Sequence, residues 1–425
     1  MSPLLSLLFS CLLTGVVASA QDLAAAPAPP DVQVVLLRDV RGVLDIVQGP
    51  DGDLLLGVQG SQPREVGLRL ISYDPAVRWE KYGTSQPVGA DSGFDQELER
   101  TSLSGAWTGP AVAFRADGSV VAMLSDKSGH RWWFGASTHG KLDTGHRLTQ
   151  LRGSESIEEL HLQPDGTLVG VGTMYVPGEP DQHPNLWPKL RIFHLERQGH
   201  VTDFQVADRA LHDKAPVPVV HPDDTLWFYQ AVKPGVWHRW DPAGTRDLRF
   251  EAALPPGLDT AEAWAALPDG SVVASVRGTR LEPRPGAECG NDVDKVGVYA
   301  LVRFAADGAV ARQLIPPTSH ALRIHQIQAQ ADGGLILVGD MATAALWSGT
   351  QAAPPAGERC SLARLAPDGS LDVDFTARWV GVAGVKLALP LSDGRVAVAG
   401  EPMQGLAGLE APLMVIVPGQ GGPAR

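Results

Sequence analysis

Basic residues are in short supply: the 425-residue chain carries 35 Lys and Arg against 48 Asp and Glu, for a net charge of −13. That balance argues against a nucleic-acid partner or an anionic membrane surface and leaves a solvated acidic exterior. Catalytic signatures are missing too. There is no HExxH zinc motif, CxxC pair or GxSxG elbow, and no phosphate-binding Gly loop ahead of a helix. A Ser-His-Asp set assembled from distant positions stays open, but nothing singles one out. No helical heptad pattern stands out, whereas 47 Gly and 34 Pro favour turns and short strands. Cysteine is scarce, and of the three only Cys289 and Cys360 lie beyond the N-terminal apolar stretch.

What the chain does have is a repeated unit, clearest over residues 360–400. An alternating run at 361–365 meets a turn at Asp368-Gly369, an apolar run at 385–391 meets another at Asp393-Gly394, and a third run follows at 395–399. Apolar residues at every second position suit strands with one buried face, and Asp-Gly supplies the positive-φ turn between antiparallel neighbours. Each unit is therefore expected to be a small antiparallel sheet.

The segment LARLAPDGSLDVDF, with the later LSDGRVAVAG, resembles the bacterial delta-60 repeat. That pattern runs apolar-Arg-Leu, Asp-Gly-Ser-Leu-Asp, a Phe shortly after, and then a strand-DG-strand hairpin. The preceding copy, YALVRFAADGAVARQL followed by IHQIQAQADGGLILVGD, is similar but lacks the Leu-Asp-x-x-Phe tail. The resemblance is strongest over residues 299–400. It implies a propeller-like fold and carries almost no chemistry.

The first twenty residues form an apolar run ending in Ala18-Ser19-Ala20, a small-x-small cleavage site, although no Lys or Arg precedes the run. Cleavage after Ala20 and export are expected. Cys11 only faintly resembles a lipidation site. Residues 21–31 read as an Ala- and Pro-rich linker, 32–418 as a single β-domain and 419–425 as a tail.

Seven hairpin turns recur, at Asp51-Gly52, Asp117-Gly118, Asp165-Gly166, Asp223-Asp224, Asp269-Gly270, Asp332-Gly333 and Asp393-Gly394. Second turns fall between them at Asp74-Pro75, His139-Gly140, Gln198-Gly199, Asp241-Pro242, Asp307-Gly308 and Asp368-Gly369. Six repeats then supply four strands each and the seventh supplies three. The lone strand at 32–37 is the missing fourth. The expected fold is all-β: a seven-bladed β-propeller of four-stranded antiparallel blades, its ring closed by the N-terminal strand. A six- or eight-bladed ring or an open array is the alternative.

In such blades the tight turns share one face, and the longer segments at 60–67, 83–105, 175–190, 278–297, 342–359 and 401–412 share the other. Cys289, in the 278–297 segment, and Cys360, directly after 342–359, are read into second-to-third-strand connections of neighbouring repeats, which makes a disulfide feasible. Counting back seven residues from each hairpin Asp gives Leu44, Pro110, Glu158, Pro216, Glu262, His325 and Lys386. Glu158, Glu262, His325 and Lys386 could hold a metal or polar ligand at a channel mouth, or stand as a solvated rim. Glu179, Asp181, His183 and Trp187 share a Pro-rich loop that reads as a carboxylate-His cluster, an aromatic platform or a stiffened solvated loop. Asn291, Asp292 and Asp294 only hint at Ca²⁺. Trp132, Trp133, Trp237 and Trp240 read as core between blades.

The functional expectation is an exported, non-enzymatic scaffold binding a protein, small molecule or glycan on its loop-rich face. The alternatives are a metal-dependent hydrolase, lactonase or lyase at the channel mouth, and a structural envelope component.

Overall fold

A computed structural model describes residues 33–36, 40–49, 54–60, 66–71, 112–114, 120–125, 131–136, 150–151, 156–162, 168–174, 189–195, 201–205, 219–221, 225–230, 235–241, 245–283, 293–347, 358–404 and 413–417. The chain is all-β, and every strand pair is antiparallel. Strand β1 (Gln33–Leu36) has no partner next to it in sequence. The first sheet is β2 (Val40–Gln48), β3 (Leu54–Gly60) and β4 (Val66–Ile71). The second is β5 (Val112–Phe114), β6 (Val120–Ser125), β7 (Arg131–Ala136) and β8 (Gln150–Leu151). The third is β9 (Ser156–Leu162), β10 (Leu168–Met174), β11 (Lys189–Leu195) and β12 (Val201–Gln205). The fourth is β13 (Val219–Val220), β14 (Leu226–Gln230), β15 (Val236–Trp240) and β16 (Arg246–Ala253). The fifth is β17 (Thr260–Ala266), β18 (Val272–Pro283), β19 (Val293–Phe304) and β20 (Val310–Thr318). The sixth is β21 (Leu322–Ala329), β22 (Leu335–Ala342) and β23 (Arg359–Leu365). The last is β24 (Ala383–Pro390), β25 (Val396–Gln404) and β26 (Leu413–Val417), and it ends on β1, with Gln33 opposite Ile416 and Leu36 opposite Leu413.

The Asp-Gly hairpins share one local design. In the turn between β17 and β18, Gly270 N–H donates to Leu267 O at 3.0 Å, and Leu267 N–H donates to Ser271 O at 2.8 Å. Asp269 Oδ1 accepts from Ser271 N–H at 3.1 Å, while Gly270 takes φ 77°, the left-handed region that glycine enters without a Cβ penalty. The turn between β24 and β25 repeats this, with Asp393 Oδ1 accepting from Arg395 N–H at 3.0 Å.

Strand burial explains why the sheets pack together. Residues 272–276 of β18, 335–339 of β22 and 396–400 of β25 are buried without interruption. Second strands of this kind are covered on both faces, so each sheet needs a neighbour on either side. The inner strands supply that contact: β2 packs on β5, β5 on β9, β13 on β17, β17 on β21, β21 on β24, and β24 on β2. Trp237 and Trp240 are buried in the core, as read from the sequence. The Trp237 ring meets Trp264 edge-on at 4.7 Å, across the contact between the fourth and fifth sheets.

Five inner strands carry one extra residue at matching positions. In β21, Ile324 pairs with Gly339 and Gln326 with Val338, leaving His325 without an opposite number. The same break leaves Lys386 extra in β24, Glu262 in β17, Glu158 in β9 and Leu44 in β2. These are β-bulges, which bend the strand and re-aim the extra side chain.

Three expectations are corrected. The sixth sheet has three described strands, because the segment after β23 turns into helix α2 (Val373–Ala377), so the four-strand count fails there. Helix α1 (Thr343–Leu346) also interrupts a segment read as irregular. Strands β18 and β19 run to Pro283 and from Val293, so the stretch 278–297 is largely a hairpin arm in register rather than loop.

The bulges bring backbone against backbone. A Cβ on Gly339 would lie 2.1 Å from Arg323 O, and one on Gly400 would lie 2.1 Å from Gly384 O. Gly339→Ala should therefore cost on the order of 2–4 kcal/mol in urea unfolding. Gly394→Ala, at φ 82° with nothing within 4 Å, should cost about 1 kcal/mol. Equal losses in the two variants would refute the close approach.

Candidate functional site

The bulged level is where chemistry-bearing residues gather. Glu262, His325 and Lys386 sit at equivalent positions on three successive inner strands. Glu158 occupies the same position on β9. Pro110 and Pro216, two further positions of the seven-residue count, lie outside the described residues. Leu44 brings no polar group to the level.

A bulge leaves the extra residue's backbone groups out of the ladder, and the neighbouring strand satisfies one of them here. His325 Nε2 is 2.9 Å from Lys386 O. A carbonyl only accepts, so this bond places the proton on Nε2 and leaves Nδ1 as an acceptor in the neutral ring. A second bond ties the same strands, with Ala388 N–H donating to Gln326 Oε1 at 2.8 Å. Lys386 Nζ lies 3.5 Å from Glu401 Oε1, and Arg277 Nε lies 3.0 Å from Glu262 Oε1. Half-exposed ion pairs of this kind hold each other weakly, at about 0–1 kcal/mol, so an incoming polar ligand can exchange for them at little cost. The level thus offers an imidazole acceptor, an ammonium and a carboxylate. Among the described residues no group of three or more His, Cys, Asp or Glu is arranged to hold a metal.

The loop residues Glu179, Asp181, His183 and Trp187 lie outside the described residues, as do Asn291 and Asp292. Asp294 lies on β19 opposite Glu282, within a regular ladder. Trp132 and Trp133 fall on β7 opposite Leu124 and Met123.

Cys360 is held as a free thiol on β23, not on a loop, and the disulfide expected with Cys289 is not shown. Cys289 lies outside the described residues. The Cys360 side chain is fully buried in the apolar cluster with Met341, Leu362 and Trp379, and Sγ–H donates to Leu362 O at 3.0 Å. Burial pushes the thiol pKa up to about 12.

The Arg-Leu and Leu-Asp-x-x-Phe elements of the repeat motif form one structural unit. Arg364 is buried and donates through Nε to Asp372 Oδ2 at 2.8 Å, and its guanidinium stacks on Phe375 at 4.5 Å. The other oxygen of Asp372 caps α2, accepting from Phe375 N–H at 2.9 Å. The preceding copy lacks this tail, and its Arg303 turns instead to Asp269 and to Ser271 Oγ at 3.0 Å. These motif residues are committed to structure.

No family model matches the chain, and no curated protein sequence matches it. Among solved structures, a protein of unknown function from Bacteroides caccae is similar at 13% identity, covering 77% of this chain and 92% of its own, with a TM-score of 0.40. Prolyl oligopeptidase B from Galerina marginata matches at 11% identity over 90% of this chain, with a TM-score of 0.42; the match spans 47% of that enzyme. A putative gluconolactonase matches at 15% identity over 73% of this chain and 90% of its own, with a TM-score of 0.33. Likeness at this level sets neither a family nor an activity for the chain.

Cys360 should resist iodoacetamide in the native protein at pH 8 and react in guanidinium, as read by mass mapping of its peptide. Because its folded pKa lies above the unfolded value near 9.0, stability is unaffected by this group below about pH 9. It should then fall as pH rises towards 12. Rapid native labelling of Cys360 would contradict its burial.

Proposed function

We propose that the seven sheets are blades of one β-propeller, closed into a ring by β1, and that this exported, non-enzymatic scaffold binds a ligand or partner on the face where the inner strands begin. Residues 1–20 serve as its signal peptide, 21–31 as its linker and 419–425 as its tail. The motif at residues 362–375 resembles the delta-60 repeat, and grouping the chain with those proteins is part of this proposal. Closure is supported by the pairing of β1 with β26 and by the packing of β24 on β2. Ser392 N–H also donates to Gln48 Oε1 at 2.8 Å across the same seam.

One observation carries the binding reading. The matching bulges set Glu262, His325 and Lys386 at one level near the start of successive inner strands. A rigid scaffold that displaces polar side chains from both packed faces of its sheets is suited to recognition.

Two measurements test the reading. A chain beginning at Arg38 lacks β1, and its melting temperature should fall by several degrees as β26 becomes an open edge. An unchanged melting temperature would remove the closure. Thermal shift of the chain lacking residues 1–20, against divalent cations, dicarboxylates and oligosaccharides, should reveal a stabilising ligand whose effect is lost in both His325→Ala and Glu262→Gln. If no compound stabilises the protein, or if both variants respond like the parent, the site is not there. Stabilisation by a divalent cation alone would transfer the site to the metal-dependent enzyme reading.

A further inference from the structure

On the fourth sheet, away from the bulged inner strands, an open cleft of about 700 Å³ is built around three arginines. Its origin is a break in register. Arg239 of β15 pairs with Asp247 of β16, and Trp237 pairs with Ala252, so residues 248–251 bow out of the ladder. Phe250 turns inward, with its ring 4.5 Å from Trp227, and the Arg239 guanidinium lies 4.6 Å above the outer face of that ring. Leu248 goes the other way and is 85% exposed, the most exposed large apolar side chain among the described residues. Arg246 and Arg249 flank it, and Asp307 reaches the cleft from the turn of the fifth sheet.

The charge balance of the cleft is uneven. Asp247 is committed to Arg239, whose Nη2 donates to it at 2.6 Å, and to the Arg249 backbone N–H at 2.9 Å. Asp307 is committed to its own turn through Ala309 N–H at 3.0 Å. Arg239 spends a further donor on Ala306 O at 3.2 Å. Arg246 donates to His238 Nδ1 at 2.7 Å and lies over Trp240 at 5.8 Å. Burial, with Arg246 beside it, holds the His238 pKa below its ordinary value against the opposing pull of Glu251. Arg246 and Arg249 therefore have no carboxylate partner among the described residues, in a chain whose net charge is −13.

We propose that this cleft binds a phosphate monoester, with the dianion held between Arg246 and Arg249 and the apolar body of the ligand resting on Leu248. A phosphate monoester carries roughly −1.5 to −2 charges at pH 7, which matches two guanidiniums where a carboxylate would match one. Guanidinium forks meet its oxygens in paired, charge-assisted hydrogen bonds. The ester is either a soluble small molecule or the headgroup of a lipid.

Calorimetry on the chain lacking residues 1–20 tests this with phenyl phosphate and inorganic phosphate as probes, alongside sedimentation with phosphatidylcholine vesicles with and without phosphatidic acid. Phenyl phosphate should bind more tightly than inorganic phosphate. Arg246→Gln and Arg249→Gln should each weaken binding about tenfold or more, and Leu248→Ala should weaken only the phenyl ester. Arg280→Gln, on the fifth sheet, should leave binding unchanged. Binding of phenyl phosphate identifies the soluble source, whereas co-sedimentation restricted to phosphatidic acid vesicles identifies the lipid source. The Arg249 guanidinium makes no hydrogen bond among the described residues, so Arg249→Gln keeps the test valid should Arg246→Gln misfold. Absence of binding to every probe, or equal binding by Arg249→Gln and the parent, overturns the proposal. The variants are separate from those at the bulged level, so either site can fail alone.

Discussion

Everything in this molecule follows from strands that must be buried on both faces. An unbroken apolar run such as residues 335–339 cannot rest against water on either side, and a three- or four-stranded sheet has no second layer of its own. Neighbouring sheets have to supply both covers. The inner-strand packing from β17 through β21 to β24 and on to β2 is the outcome.

The same constraint explains why the most recognisable motif is not a functional site. A buried guanidinium needs a countercharge, and Arg364 finds it in Asp372, which in turn caps a single helical turn where a fourth strand would otherwise run. In the preceding copy the Leu-Asp tail is absent, and Arg303 recruits the hairpin aspartate Asp269 instead. One recurring arginine therefore has two local solutions, one in a repeat that ends in helix and one in a repeat that ends in strand.

Legibility in the sequence tracked the range of the interaction involved. Hairpins could be read because Asp, Gly and alternating apolar residues act within a few positions of one another. The inner-strand set Glu158, Glu262, His325 and Lys386 could be numbered because its distance to the turn is constant along the chain, although nothing local said that each would be a bulge. Helix α2, the burial of Cys360 and the bowed segment around Leu248 were not readable. Each depends on a partner strand or side chain whose register only the folded molecule defines.

The bulge also separates two kinds of inheritance. Residues buried between sheets along an inner strand answer to that packing, as Leu322, Ile324 and Ile327 do on β21. The supernumerary residue answers to neither side, and across five copies it is leucine, glutamate, glutamate, histidine and lysine. Repetition of such a unit multiplies positions of this kind while the hairpin frame stays constant. A lineage built this way can sample new surface chemistries one repeat at a time, without reopening the question of how the protein folds.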